Sequence, residues 1–374
     1  MSRKRFTRMT EPTPSSVSVW FPRLASRSPE PEARNPSAPR RSLWLLLTAL
    51  LLWAPACSPI RFVVTVGPTQ GELQRAVVVS EDGAAGEVAI VDVSGLMVNA
   101  ERGTVLSRSP NPVSLLHEQL KRVEAEDEVK AVVLRINSPG GGVTASEAMY
   151  REVERFKRRS GKPVVAMLMD VAASGGYYLA LSADEIVAYP GTVTGSVGVV
   201  IQTVGVGPAL ARIGVEAEAI TSGPNKDAGN PLGSLDDGER AVLAAMVEDF
   251  YGGFMARVRA RRAAMGEAEL ETIADGRVVS GARAVELGLI DATGDIYDGF
   301  AAAKRRAGLE RADLVRYAAP LARVRSPYSR AGSGAAETGD VSRGAGPSAV
   351  KLDVLPASFD LPGGFYYLWR PGVD

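Results

Sequence analysis

The sequence predicts an α/β fold with a mainly parallel sheet covered by helices. Short apolar runs of strand length alternate with segments of helical spacing from Val88 to Val204. Two loops of small residues, Gly140-Gly141-Gly142 and Ser174-Gly175-Gly176, leave the C-terminal ends of two of these runs. Binding and catalytic groups of open α/β sheets collect at that edge. The 374 residues, 45% of them hydrophobic, suffice for one large domain or two modest ones.

Taken in order, Val88-Ala89-Ile90-Val91-Asp92-Val93 reads as a strand closed by Ser94-Gly95. Residues 113–125 carry Leu115, Leu116, Leu120 and Val123 at helical spacing. His117 lies on that helix, where a surface or hydrogen-bonded histidine is the simpler reading than a catalytic one. Val129 to Ile136 is a second strand, running into Asn137-Ser138-Pro139 and the triple glycine. That triple glycine is either a plain turn or a loop whose bare N–H groups hold an oxyanion. Thr144-Ala145-Ser146-Glu147 reads as a capping box opening a helix with Met149, Val153 and Phe156 on one face. Pro163 to Met169 forms the next strand, and Ser174 follows in a turn before a short helix. Ser174 is read either as a helix N-cap or as a nucleophile at a helix N-terminus. Glu185 to Tyr189 and Val197 to Val204 supply further strands. A loop from Thr221 to Pro231 carries Lys226, and residues 235–264 form a long helix with Val242, Leu243, Met246, Phe250 and Phe254 on one side. The compact body, residues 85–308, is followed by an extension over 309–374. Within it residues 326–346 are a Gly/Ser/Ala/Arg-rich flexible linker, and Phe365-Tyr366-Tyr367-Leu368-Trp369 is an aromatic end that docks on something.

Composition narrows the chemistry. Lys+Arg and Asp+Glu both number 43, so no overall field favours nucleic acid. One histidine, His117, and one cysteine, Cys57, rule out an internal disulfide and a His/Cys zinc site. There is no GxxxxGK[ST] loop, and Gly205-Val206-Gly207 lacks the third glycine of a dinucleotide fingerprint. Neither a metal nor a cofactor is called for.

The N-terminus reads as a targeting and anchoring region. Residues 1–41, rich in Pro, Ser and Arg, are expected to be disordered. Residues 42–58 begin with an apolar run of about eleven residues after Arg40-Arg41, closer to a signal-peptide core than to a full span of about twenty. The run ends in Ala54-Pro55-Ala56-Cys57-Ser58, where Cys57 is a lipidation candidate; an uncleaved signal anchor is the alternative. Either places the body outside the cytoplasm, in a cell envelope, with residues 59–84 as a membrane-proximal linker or strand.

Four motifs in order carry a resemblance: Asn137-Ser138-Pro139-Gly140-Gly141-Gly142, Ala173-Ser174-Gly175-Gly176-Tyr177-Tyr178, Thr194-Gly195-Ser196-Val197-Gly198 and Ser222-Gly223-Pro224-Asn225-Lys226-Asp227. Together they resemble the bacterial signal peptide peptidase A family of membrane-anchored serine–lysine proteases, in its short single-repeat form. The resemblance implies a ClpP/crotonase-like fold, with Ser174 as nucleophile and Lys226 as general base. It also implies Ser196 as the group orienting Lys226, and an oxyanion hole from the N–H groups of Gly141 and Gly175. It further implies peptide substrates such as cleaved signal peptides, and a homo-oligomeric ring in which neighbouring subunits share the dyad.

The chemistry agrees with the resemblance. A serine hydroxyl needs a base to take its proton, and with His117 in an unpromising helix a lysine remains. An exposed lysine, with a pKa of about 10.4, is no base at neutral pH, whereas burial disfavours the ammonium and lowers that value. A subunit interface supplies such burial. Two other classes stay open: a crotonase-type acyl-CoA enzyme, which shares the fold but not the envelope location, and an inactive envelope scaffold.

Overall fold

The computed structural model describes residues 73–104, 107–318, 324–329 and 365–368. Segments 1–41 and 42–58, with Cys57, and most of the 326–346 linker lie outside the described residues. Among the described residues no helix is long and apolar enough to cross a membrane.

The chain begins with β1 (Gln74–Val79) and β2 (Glu87–Ser94), then a small antiparallel pair, β3 (Arg102–Thr104) and β4 (Ser107–Ser109). Helix α1 (Pro112–Ala125) starts where Asn111 accepts a hydrogen bond from the Val113 amide and proline occupies the first turn. β5 (Val129–Ser138), β6 (Gly140–Gly142), α2 (Val143–Ser160), β7 (Val164–Ala173) and α3 (Gly175–Ala180) follow. Next come β8 (Glu185–Ala188), β9 (Val193–Gly195), β10 (Val200–Ile201), α4 (Gly207–Arg212) and α5 (Asp237–Arg261). The body closes with α6 (Glu267–Ile273), β11 (Val278–Ser280), α7 (Gly281–Glu286), β12 (Ala292–Thr293), α8 (Ile296–Ala307) and β13 (Asp313–Ala318). A last strand, β14 (Phe365–Leu368), lies near the chain end.

The main sheet runs β1-β13-β2-β5-β7-β8-β12, parallel from β13 to β12 and antiparallel only at the β1 edge. β7 forks it: residues 165–168 pair with β8, and residues 171–173 pair with β9, on which β11 lies antiparallel. Both faces are covered, which is why the inner strands are apolar without a break. In β2 and β5, Val88, Ile90, Ala131 and Val133 pack on Ile296 and Phe300 of α8. Their neighbours Ala89, Val91, Val132 and Leu134 pack on the opposite face with Leu116 and Leu120 of α1 and Val153 and Phe156 of α2. Each valine, isoleucine, leucine or phenylalanine so buried contributes about 1.5–3 kcal/mol.

The structure departs from the sequence reading in four places. The sheet does not stop at residue 308: β13 lies between β1 and β2, so the first residues of the 309–374 extension are core. Residues 59–84, read as a linker or a strand, do hold a strand, β1. Only Val200–Ile201 of the expected 197–204 strand forms, because Gly195 and Ser196 turn the chain out of the sheet; the small-residue segment before it supplies β9. Helix α2 begins at Val143, two residues earlier than the capping box requires. Gly142 is therefore its N-cap, while Ser146 donates to the Gly142 carbonyl and Glu147 pairs with Arg151. Finally, Ser326–Ser329 is not free linker. The buried Arg135, which also donates to Asp92 at 2.6 Å, donates to the carbonyls of Pro327 and Ser329.

One stretch behaves unlike the rest. No residue from Gly198 to Gly238 is buried, although the stretch includes Val200, Val204, Ile213, Val215, Ile220 and Leu232. Ile220 is 97% exposed and Ile213 74%. The apolar face expected on α5 is buried only at its C-terminal half: Phe254 is inaccessible, while Val242 and Met246 face outward.

Candidate active site

Ser174 joins β7 to α3 and is 1% exposed. Its amide donates to the Gly195 carbonyl and its carbonyl accepts from the Tyr178 amide, both at 2.8 Å. Those bonds continue the β7–β9 pairing on one side and start α3 on the other. The turn forces φ to +52° at Ser174, a conformation that costs a non-glycine residue about 1–3 kcal/mol. The hydroxyl caps no amide of α3, which removes the helix-cap reading of this serine. Among the described residues one other non-glycine residue has a positive φ, and it is Ser196, also at +52°. The two strained serines are thus linked through Gly195.

Gly140 to Gly142 form a short strand held from one side by Met97, whose amide donates to the Gly140 carbonyl at 2.8 Å and whose carbonyl accepts from Gly142 at 2.9 Å. Ser138 Oγ accepts from the Gly140 amide at 3.1 Å. In a strand, donors alternate sides. The Gly141 N–H therefore faces away from Met97, toward β14. Glycine is required here by close approach. A methyl group on Gly140, where φ is +101°, would lie 2.7 Å from the Gly175 nitrogen, and one on Gly175 would lie 2.4 Å from Ser146 Oγ. The two small-residue loops are therefore in contact. Asn137 stitches the strands that carry them, donating to Asp170 at 3.0 Å and accepting from the Val171 amide at 3.2 Å.

Ser196 is 8% exposed, and its amide donates to the Arg277 carbonyl at 2.8 Å. It opens on a cavity of about 370 Å³ lined also by Val200, Glu248, Tyr251 and Asp275. Hydrogen bonds from Arg277 hold the Asp275 carboxyl at about 2, and the two form an ion pair at the cavity rim.

Lys226 sits in the exposed stretch, its amide donating to the Gly223 carbonyl at 3.1 Å. Its ammonium makes no hydrogen bond or ion pair with any described residue. Ser174, Ser196, Gly141 and Gly175 thus converge at one sheet edge, and Lys226 of the same chain does not join them. His117 is on the surface of α1 beside Glu152, 3.2 Å away.

An aromatic cluster borders the site: the Tyr178 ring lies 5.1 Å from Phe254 and 5.4 Å from Tyr150, with Arg257 4.9 Å from the Tyr150 ring. Burial raises the pKa of the Tyr178 hydroxyl, which stays neutral. Nothing in the sequence joins Tyr178, Phe254 and the site-supporting Met97, because they come from three separated segments. Tyr178 alone carried a signal, as part of the Ser174 motif.

The fold and this edge define an α/β serine-type protease of Clp-like architecture. The sequence profile of Clp protease matches residues 97–193, and that of peptidase family S49 matches residues 156–310. A protein of Synechocystis sp. named as a candidate protease is 34% identical over 224 residues, covering 60% of this chain and 76% of its own length. One of Enterococcus faecium named as a candidate signal peptide peptidase SppA is 31% identical over 238 residues, covering 63% and 69%. Protease 4 of Salmonella typhi is 34% identical over 236 residues, covering 62% of this chain but 36% of that longer one. The chain belongs to peptidase family S49, the signal peptide peptidase A family.

Proposed function

We propose that this protein is an endopeptidase in which Ser174 attacks the peptide carbonyl while Lys226 of a neighbouring copy takes the hydroxyl proton. The observation that carries the reading is the contrast between the surroundings of the two groups. A buried, strained serine stands beside two glycine loops, whereas the lysine rides on an exposed stretch with unpartnered apolar side chains. Packing that stretch on a second copy desolvates the lysine, which favours the neutral amine. The cavity beside Ser196, lined by Glu248, is suited to receive it, with the Ser196 hydroxyl orienting the amine. The tetrahedral oxyanion is held by the Gly141 and Gly175 N–H groups, each contributing about 2.7–4 kcal/mol. The leaving amine collects the proton from the lysine, which then activates the water that releases the acyl group.

The substrates in this reading are cleaved signal peptides or other short apolar peptides. The apolar run within residues 42–58 supports tethering to a bacterial membrane, with the catalytic domain on the periplasmic side. A serine-directed acylating reagent is expected to label Ser174 in the wild type and to fail in Lys226→Ala, with kcat reduced on the order of 10⁴-fold or more in that variant and in Ser174→Ala. Full turnover by Lys226→Ala removes the dyad.

A further inference from the structure

The α8 face of the sheet buries a charged cluster that the proposed chemistry does not use. Asp92 of β2 stands opposite Arg135 of β5, and Arg316 of β13 stands opposite Ile90, two residues before Asp92. Side chains alternate between the two faces of a sheet. Ile90, Val133 and Leu314 pack against α8, so the three charged residues share that face. Arg316 is fully inaccessible, Arg135 is 5% exposed and the Asp92 side chain 9%. The Ser326–Ser329 segment adjoins them. Its Pro327 and Ser329 carbonyls accept from Arg135, and the Tyr328 ring meets Tyr297 of α8 at 6.4 Å.

Arg316 is left short of partners. Its guanidinium pairs with the Asp92 carboxylate, but that carboxylate also takes Arg135 at 2.6 Å. Arg316 Nε and Nη1 are buried and have no hydrogen-bond partner among the described residues. Desolvation lowers the Arg316 pKa to about 10, which leaves it a cation at neutral pH. Buried charges are paired, and a buried donor without a protein partner marks the place of a water or an ion. A water satisfies the donor but leaves the charge uncompensated, whereas an anion does both. The three residues are closed off from solvent and line neither the cavity beside Ser196 nor the one beside Tyr150 and Arg257. Such a place suits a single small ion rather than an organic ligand. One charge suffices, because Asp92 already offsets part of the cluster.

We propose that Arg316 Nε and Nη1 hold a monovalent anion of halide size, chloride in ordinary salt solutions. The ion stabilises the folded chain and takes no part in peptide hydrolysis, so the inference stands apart from the reading of Ser174.

The test is thermal unfolding of the full chain as sodium chloride replaces sodium gluconate at a constant ionic strength of about 0.15 M, which holds screening fixed. Gluconate is too large for the closed site. An ion bound only by the folded state raises the folding constant in proportion to its concentration once the site is filled. The unfolding midpoint is therefore expected to climb with chloride, the folding constant gaining about tenfold per tenfold of chloride in that range. The Arg316→Met chain, in which Arg135 keeps Asp92 to itself, is expected to show no such gain. Crystals grown in sodium bromide are expected to show anomalous scattering in hydrogen-bond contact with Arg316 Nε, which decides the matter even if Arg316→Met does not fold. A midpoint indifferent to chloride, a gain that survives in Arg316→Met, or a site that scatters as water overturns the proposal.

Discussion

Ser174 holds a φ of +52° with its hydroxyl free of any capping bond to α3, an arrangement that costs stability. Ser174→Gly is expected to remove the strain, giving a protein more stable than Ser174→Ala by up to about 1–2 kcal/mol, since alanine keeps the Cβ that glycine lacks. Denaturant midpoints of the two inactive variants check this, and a glycine variant less stable than the alanine one contradicts it. At this scale the site was largely legible. The Asn137 to Gly142 and Ala173 to Tyr178 motifs hold their constraints in contiguous residues, because close backbone approach demands glycine at fixed positions. The matching strain at Ser196 was not legible, since its cause is the Arg277 carbonyl far along the chain. Tyr178 and Phe254 likewise become a pocket only once α3 and α5 are packed.

Among the elements, the exposed stretch from Gly198 to Gly238 and the N-terminal half of α5 pose the sharpest physical problem. Apolar side chains as open as Ile213 and Ile220 gain nothing from water, and each stabilises a contact by about 1.5–3 kcal/mol when covered. The paired substitution Ile213→Glu and Ile220→Glu is expected to reduce the assembly to smaller species and lower activity in parallel, while the unfolding midpoint of the single chain stays within about 0.5 kcal/mol. Light scattering with chromatography reads the size; unchanged assembly would place the contact elsewhere. The sequence showed α5 as amphipathic but could not say that half its apolar face lacks a partner within its own chain. The inner strands β2, β5 and β7 were readable because burial on both faces makes them continuously apolar. β13 and β14 were not, being short segments whose partners are set by distant chain.

At the scale of the whole molecule, the fold brings Ser174, Ser196 and the Gly141 and Gly175 loops to one sheet edge and leaves Lys226 on an exposed stretch. In the proposed reading, a family S49 chain built this way works as an assembly whose sites are completed between copies. In the closed ring of that reading every interface is the same head-to-tail contact, so each site takes its serine from one chain and its lysine from the next. Co-assembly of equal amounts of Ser174→Ala and Lys226→Ala chains measures that claim most directly. Each variant alone is expected to be inactive, and the mixture to recover about a quarter of wild-type turnover, the fraction of interfaces that join an intact serine to an intact lysine. A mixture that assembles at wild-type size yet stays inactive would contradict the shared dyad.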